Sequence, residues 1–394
     1  MEYLGERVRF CIQEEQLGSG HAAKVSMDLF PDEGTIMVLP GDVPLIKKET
    51  LASLLEYHRE GHYAATILSC IMEDPSGYGR IVRDNDGNVL SIVEDRDASE
   101  DIRKIKEINS AVYCFELKYL KNALEKINNH NDQGEYYLTD TIAIIKNENG
   151  RIGALMGNAD ELSGINDRVQ LAEMEKRMND AILKKLMRDG VTIMDPDHTY
   201  ISGMAKIGKD VVIYPGTVIE GSSIIGEDCV IGPYTRIISS RIGKGTNISY
   251  SVVIESTIGD NTNVGPFAYL RPNSNIGDRV KIGDFVEVKN SNIGDGTKVP
   301  HLAYVGDADI GSGVNFSCGA ITVNYDGKVK HRTRVADRAF IGCNVNLIAP
   351  VEIEEGAFVA AGSTITEKVP QKALGIARCR QTNIEGWVIK KFKE

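Results

Sequence analysis

Apolar and polar positions follow three different rhythms along this chain of 394 residues. In residues 1–166, short apolar runs alternate with helical spacing. "VRFCIQ" (8–13), "TIMVLPGD" (35–42) and "ATILSCIM" (65–72) read as buried strands, and "KKETLASLLEYHREG" (47–61) places Leu51, Leu54 and Leu55 on one helical face. Such alternation predicts an α/β layer with a largely parallel sheet. Residues 167–190 form a second zone. Leu171, Met174, Met178, Ile182, Leu183 and Leu186 recur at steps of three and four. This predicts one long amphipathic helix over 167–189, with Asn166 and Asp167 able to cap its start and Gly190 its end. It reads as an arm connecting two domains.

From residue 191 to 394 the period becomes six. Isoleucines stand at 201, 207, 213, 219, 225, 231 and 237, and glycine follows at 208, 226 and 232. After a phase shift, Ile-Gly or Val-Gly pairs return at 242, 258, 264, 276, 282, 293 and 310. No helix or twisted strand has this period. It predicts a parallel β-helix of hexapeptide repeats, with isoleucine pointing into the prism and small residues permitting tight turns. The repeat establishes architecture and not chemistry.

Composition narrows the class. Aromatic residues make up 6% of the chain and glycines number 39, which suits stacked repeats. A net charge of −11 without a basic block argues against nucleic-acid binding. The seven cysteines are scattered and form no C-x-x-C, so reduced thiols in the cytoplasm are expected. No signal peptide is visible, and no 18-residue apolar run suggests a membrane span.

Chemistry is expected where the repeat breaks. "GPFAYLRPNSNIG" (265–277) carries Arg271, "VEVKNSNIG" (286–294) carries Lys289, and "TKVPHLAYVGDADIG" (297–311) carries His301 and Tyr304. "VNFSCGAITVNYDGKVKHRTRV" (314–335) is too long and polar for one hexad, and a loop leaving the prism is expected there. Arg271, Lys289 and His301 are spaced 18 and 12 residues apart, which could set them on neighbouring coils of roughly 18 residues. Arginine and lysine beside a tyrosine can clamp a phosphate or carboxylate, and a neutral histidine can take a proton near pH 7. His301 and His331 are too far apart for a three-imidazole zinc site, so no structural metal is expected in this half.

These stretches, with "EEQLGSGHA" (14–22), "GDVPLI" (41–46), "GYGRI" (77–81), "EIN" (107–109), "QGEYYLTD" (133–140), "NYDG" (324–327) and "EGWVIKK" (385–391), closely resemble the bacterial bifunctional N-acetylglucosamine-1-phosphate uridyltransferase / glucosamine-1-phosphate acetyltransferase family. The resemblance runs from about residue 8 to the end. It implies a Rossmann-like nucleotidyltransferase domain, a helical arm and a left-handed β-helix. It also implies a homotrimer, acetyl-CoA as cosubstrate, Mg2+ at the uridylyl site, and production of UDP-N-acetylglucosamine for the cell wall.

Carried onto this chain, the resemblance makes His301 the general base of acetyl transfer. Arg271, Lys289, Tyr304 and Asn315 become sugar-phosphate contacts, and Cys318, Asn324, Tyr325, Cys343, Ala361 and Arg378 acetyl-CoA contacts. In the first domain it assigns Gln13, Gly18 and Ser19 to the base, Gly79, Glu94 and Asn109 to the sugar, and Gly41 and Asp42 to the nucleotide sugar. Asp42 and Asn166 become the Mg2+ ligands. It favours direct transfer over an acyl-enzyme at Cys318 or Cys343. The family's glycine-rich phosphate loop, L-A-A-G-x-G-T-R-M, has no counterpart in these residues. An N-terminally truncated domain, with impaired uridylyl transfer, is therefore expected. Two rival readings are a pyrophosphorylase whose β-helix is only structural, and a trimeric scaffold that binds nucleotide sugar without turnover.

Overall fold

A computed structural model of the chain describes residues 5–165 and 167–392. Contacts divide it into two compact units, residues 1–174 and 175–394, so the division falls inside the long helix.

The first unit is built on a mixed sheet. Its strands are β1 (Thr35–Val38), β2 (Ala65–Ile71), β3 (Arg80–Arg83), β4 (Val89–Val93), β5 (Glu107–Glu116) and β6 (Ile152–Met156). They run in the order β4-β3-β5-β2-β6, with β1 also paired to β5. Only β2 and β6 pair in parallel, while β5 is antiparallel to β1, β2 and β3. The expectation of a largely parallel sheet is corrected here. One local cause lies between β3 and β4. Asp84 accepts backbone N–H bonds from Asp86 and Asn88, Gly87 takes φ 82°, and the chain doubles back as a hairpin. β2 is buried almost throughout, with Ala65, Ile67, Leu68 and Cys70 inaccessible. Helix Lys48–Glu60 lies where its spacing predicts, with Leu54 fully buried.

"VRFCIQ" is not a strand. Residues 8–13 are irregular, and Val8, Phe10 and Ile12 are exposed. Alternation of apolar and polar residues reads as a strand, but a strand also needs a neighbour, and no described strand pairs with this segment.

The long helix spans Arg168–Arg188. Asp167 caps it by accepting the N–H of Gln170 at 2.8 Å. The chain leaves it through Gly190 at φ 102°, with Val191 N–H closing on the Leu186 carbonyl at 3.0 Å. Asn166, the other expected cap, lies outside the described residues. Leu183 is buried in the core of the second unit with Ile182 and Leu186 beside it, whereas Leu171 and Met178 are exposed.

The second unit is a three-sided β-helix of 11, 10 and 9 short parallel strands. The isoleucines at 201, 213, 219, 225, 231 and 237 point inward and are buried, and Ile207 is half-buried. Glycines in the Ile-Gly pairs serve a purpose beyond turning. At Gly243, Gly259, Gly277 and Gly311 an added Cβ would lie 2.4 Å from an aspartate oxygen of the next coil. Those aspartates accept backbone N–H bonds from the coil below. Examples are Lys244 N–H to Asp260 at 2.7 Å, Asp260 N–H to Asp278 at 2.7 Å and Asp278 N–H to Asp295 at 2.9 Å. Glycine keeps the channel open for this carboxylate ladder. The loop expected within 314–335 is present. Residues 324–332 leave the prism between strands Ile321–Val323 and Thr333–Val335, and Arg332 ties their end back to Asp309 with bonds of 2.6 and 2.5 Å.

Candidate active sites

One prism corner carries several of the residues expected to serve acetyl transfer. Strand Lys281–Asp284 pairs in register with Lys298–His301, placing Asp284 directly beside His301. The Asp284 carboxylate accepts from His301 Nδ1, and this bond holds Asp284 below the usual carboxylate range. His301 is exposed, so Nε2 is free to meet a substrate. The sequence reading missed Asp284. Its signal is the 17-residue offset from His301, one coil of this helix.

The same corner continues through the later coils. Lys298 pairs with Asn315, so Cys318 stands one coil from His301. Asn315 and Phe316 pair with Phe340 and Ile341, so Cys343 stands one coil beyond Cys318. Asn344 N–H bonds the Cys318 carbonyl at 2.9 Å, and Gly362 N–H bonds the Cys343 carbonyl at 2.8 Å. Ala361 follows, and the Arg378 side chain passes 4.0 Å from the position of a Cβ on Gly362. With a coil rise of about 4.8 Å, the three steps from His301 to Ala361 span roughly 14 Å. His301, Cys318, Cys343 and Ala361 thus form one column, and the Arg378 side chain lies beside its last rung. Asn315 sits at its side, donating to Ser317 Oγ at 2.8 Å.

The cationic clamp stands across one face of the prism. Arg271 N–H bonds the Val288 carbonyl, which sets Arg271 in register with Lys289, and Lys289 pairs with Gly306. Gly306 leaves room for the Tyr304 hydroxyl, since a Cβ there would lie 2.3 Å from it. Arg271, Lys289 and the Tyr304 hydroxyl therefore share a column, with Glu287 held to Arg271 at 2.7 Å. His301 lies on the coil of Gly306 but at the other end of the face, because twelve residues are not a full coil. Lys289 is held below the usual lysine range by neighbouring Lys330, by partial burial and by Arg271, with Asp307 opposing. Asn324 and Asn290 both donate to Asp307, the second at 2.6 Å. Tyr325 is exposed on the loop, its hydroxyl donating to the Gly327 carbonyl at 2.8 Å.

In the first unit, Gly79, Glu94 and Asn109 come together at the ends of β3, β4 and β5. Asn109 N–H bonds the Gly79 carbonyl at 2.8 Å, and a Cβ on Gly79 would lie 3.3 Å from Glu94. Thr139 donates to Glu94 at 2.9 Å, and burial pushes the Glu94 carboxyl up. Asn109 donates to Tyr113 at 2.7 Å. Thr139 and Tyr113 were not singled out from sequence. Gln13 donates to the Gly18 carbonyl at 3.1 Å, and Ser19 accepts the N–H of Leu138 at 3.1 Å. Gly18 is required by φ 106° and by the Tyr136 carbonyl, 2.6 Å from where a Cβ would stand. Gly41 and Asp42 are exposed in a turn, with the Asp42 carboxylate 3.7 Å from the position of a Cβ on Gly164. Asn166, the expected partner of Asp42, lies outside the described residues.

A buried carboxylate beside Gly79 and Asn109 on an α/β unit, and a histidine column on a hexapeptide prism, define a two-domain transferase. Comparison agrees. Residues 2–159 match the nucleotidyl transferase family, and residues 204–239 and 255–290 match the bacterial transferase hexapeptide (six repeats). The chain is 55% identical over 393 residues to the bifunctional protein GlmU of Caldanaerobacter subterraneus subsp. tengcongensis, covering 100% of this chain and 86% of that protein. It is 54% identical to the bifunctional protein GlmU of Acetivibrio thermocellus, covering 99% and 85%. The chain belongs to the bifunctional GlmU family, whose members carry acetyltransferase and uridyltransferase activities for UDP-N-acetylglucosamine biosynthesis. A solved Francisella novicida UDP-N-acetylglucosamine acyltransferase aligns with a TM-score of 0.33 and 21% identity over 51% of this chain and 73% of that one, too weak a likeness to bear on function.

Proposed function

We propose that the His301 corner moves acetyl from acetyl-CoA to the amine of glucosamine-1-phosphate. The observation that carries this reading is the histidine, aligned by Asp284, at the head of the column whose last rung lies beside Arg378. Arg271, Lys289 and Tyr304 hold the sugar phosphate, and Asn315, at the side of the His301 column, contacts the same substrate. Cys318, Asn324, Tyr325, Cys343, Ala361 and Arg378 receive acetyl-CoA along the rise of the coils. Asp284 fixes the tautomer in which Nδ1 carries the proton. Nε2 takes a proton from the substrate ammonium, and the freed amine then attacks the thioester carbonyl. The tetrahedral adduct loses its second N–H proton to solvent and collapses to the amide, and the imidazolium returns its proton to the departing CoA thiolate. Binding both substrates on one face replaces a bimolecular encounter with a local one.

The first unit joins the product to UTP. Gly79, Glu94 and Asn109 face the N-acetylglucosamine moiety, while Gln13, Gly18 and Ser19 face the base. Asp42, an exposed carboxylate suited to a hard cation, and Asn166 would hold Mg2+, which when bound neutralises the nucleotide phosphates. A homotrimer is supported by exposed apolar surface. Tyr234, Tyr250, Phe267 and Phe285 stack up one corner with ring centroids 5.4–5.8 Å apart, and Ile384, Trp387 and Ile389 are exposed near the C-terminus. No described helix is long and apolar enough to cross a membrane. All seven cysteines are free, as a cytoplasmic setting requires.

A paired assay tests the reading. One arm follows CoA release from acetyl-CoA and glucosamine-1-phosphate. The other follows diphosphate release from UTP and N-acetylglucosamine-1-phosphate with Mg2+. CoA release in the first arm and diphosphate release in the second are expected. Diphosphate alone would favour a pyrophosphorylase with a structural β-helix, and silence in both arms from a folded trimer would favour a binding scaffold.

A further inference from the structure

Two thiols occupy consecutive rungs of the His301 column. Cys318 and Cys343 take the same corner position on neighbouring coils, and both are free. Their backbones are joined by the bond from Asn344 N–H to the Cys318 carbonyl at 2.9 Å. The next residues repeat the match, since a Cβ on Gly319 would lie 2.2 Å from Asn344 Oδ1. Stacked positions on parallel strands lie about 4.8 Å apart, inside the window of roughly 4.4–6.8 Å between Cα atoms that a disulfide spans. Their Cβ atoms, pointing the same way, are a little farther apart than the ~3.5–4.5 Å a relaxed bridge prefers. Closing the bond therefore pinches two coils together, and a strained, accessible disulfide is readily reduced again.

We propose that Cys318 and Cys343 form a reversible disulfide that switches off acetyl transfer. The loss of activity rests on the assignment of this corner to acetyl-CoA, while the bond itself rests only on the register. The oxidant is a low-molecular-weight disulfide. Cys343 is exposed and Cys318 half-buried, so the Cys343 thiolate attacks first. It forms a mixed disulfide and expels one small thiol. The Cys318 thiolate then attacks Cys343 Sγ and expels the second. The two protein thiols lose two electrons and two protons, and the small disulfide becomes two thiols. Pinching the coils moves the Cys343 backbone and replaces two small polarisable side chains by a bridge along the path from His301 to Arg378.

The test treats the full chain with oxidised glutathione and maps its peptides without reduction. The expected result is a peptide pair linked through Cys318 and Cys343 within one chain. CoA release falls roughly tenfold or more, diphosphate release keeps its untreated value, and dithiothreitol restores the loss. Saturating acetyl-CoA slows the linkage. In Cys318→Ser the chemistry stops at a glutathione adduct on Cys343. In Cys343→Ser no link forms, and whatever acetyl transfer that variant retains is insensitive to the oxidant. A wild-type chain without this link, or with links between chains or to exposed Cys11 or Cys379, overturns the pairing and leaves the acetyl-CoA assignment standing. The intended link with undiminished CoA release overturns the switch and that assignment together.

Discussion

The two units assemble their sites by different means. In the β-helix, residues that meet in space are one coil apart in sequence, as Asp284 and His301 show. In the α/β unit, Gly79, Glu94, Asn109 and Thr139 converge from four places along the chain. The prism therefore behaves as a ruler. Its isoleucine column fixes which residues stack, and the outer face can vary without disturbing the core. The sheet of the first unit offers no such ruler, because its strand order follows from packing and hairpin chemistry rather than from a repeat. A change to the prism core should be felt along the axis, whereas a change in the α/β site should stay local.

The largest break comes from charging the prism. Ile282 is fully buried beside the Asp284 rung. Ile282→Asp should cost more than about 4 kcal/mol and abolish the folding transition of the β-helix unit, while Ile282→Ala should cost about 2–5 kcal/mol. Thermal unfolding by circular dichroism checks both. A small shift for the aspartate would mean that the column tolerates a charge and is no ruler.

Next comes the chemistry. His301→Ala should lower CoA release by about 10²–10⁴-fold without changing diphosphate release. Steady-state rates of both reactions decide it, and a parallel fall in the two would deny the units their independence. Gly277→Ala probes the carboxylate ladder. Its new Cβ meets Asp295 Oδ1 at 2.4 Å and backbone at 2.9 Å, so a loss of about 1–3 kcal/mol is expected by denaturant titration.

pH gives a gentler test. The bond to His301 holds Asp284 below its unfolded pKa, so the pair's contribution is present above that unfolded value, near pH 4, and is lost as pH falls through the lower folded value. In Asp284→Asn that acid loss of stability should disappear, and CoA release should fall because His301 Nδ1 loses the acceptor that orients the ring. Unchanged CoA release would reduce Asp284 to a structural role.

The smallest effect is expected at Glu94. Burial raises its carboxyl above the unfolded value, so the first unit gains relative stability as pH falls through that raised value. Glu94→Gln should remove this dependence and change stability at neutral pH by less than about 1 kcal/mol. It should also raise the KM for N-acetylglucosamine-1-phosphate. A large loss of stability would place Glu94 in the scaffold rather than the site.

The repeat was legible from residue 201 onward because one buried isoleucine per six residues leaves a direct mark on the sequence. Pattern along the chain was thus enough for the prism, for the long helix with its Asp167 cap, and for the breaks at Arg271, Lys289, His301 and within 314–335. The rest depended on packing. Alternation made residues 8–13 resemble a strand, but pairing depends on a neighbour that local pattern does not encode. Strand direction in the first sheet likewise depends on turns and packing. Spacing put His301 near Lys289, and only the three-sided cross-section separated them to opposite ends of one face. That cross-section also brought Asp284 against His301, because side chains at a prism corner meet through coil register, which counts residues across whole turns rather than along one strand.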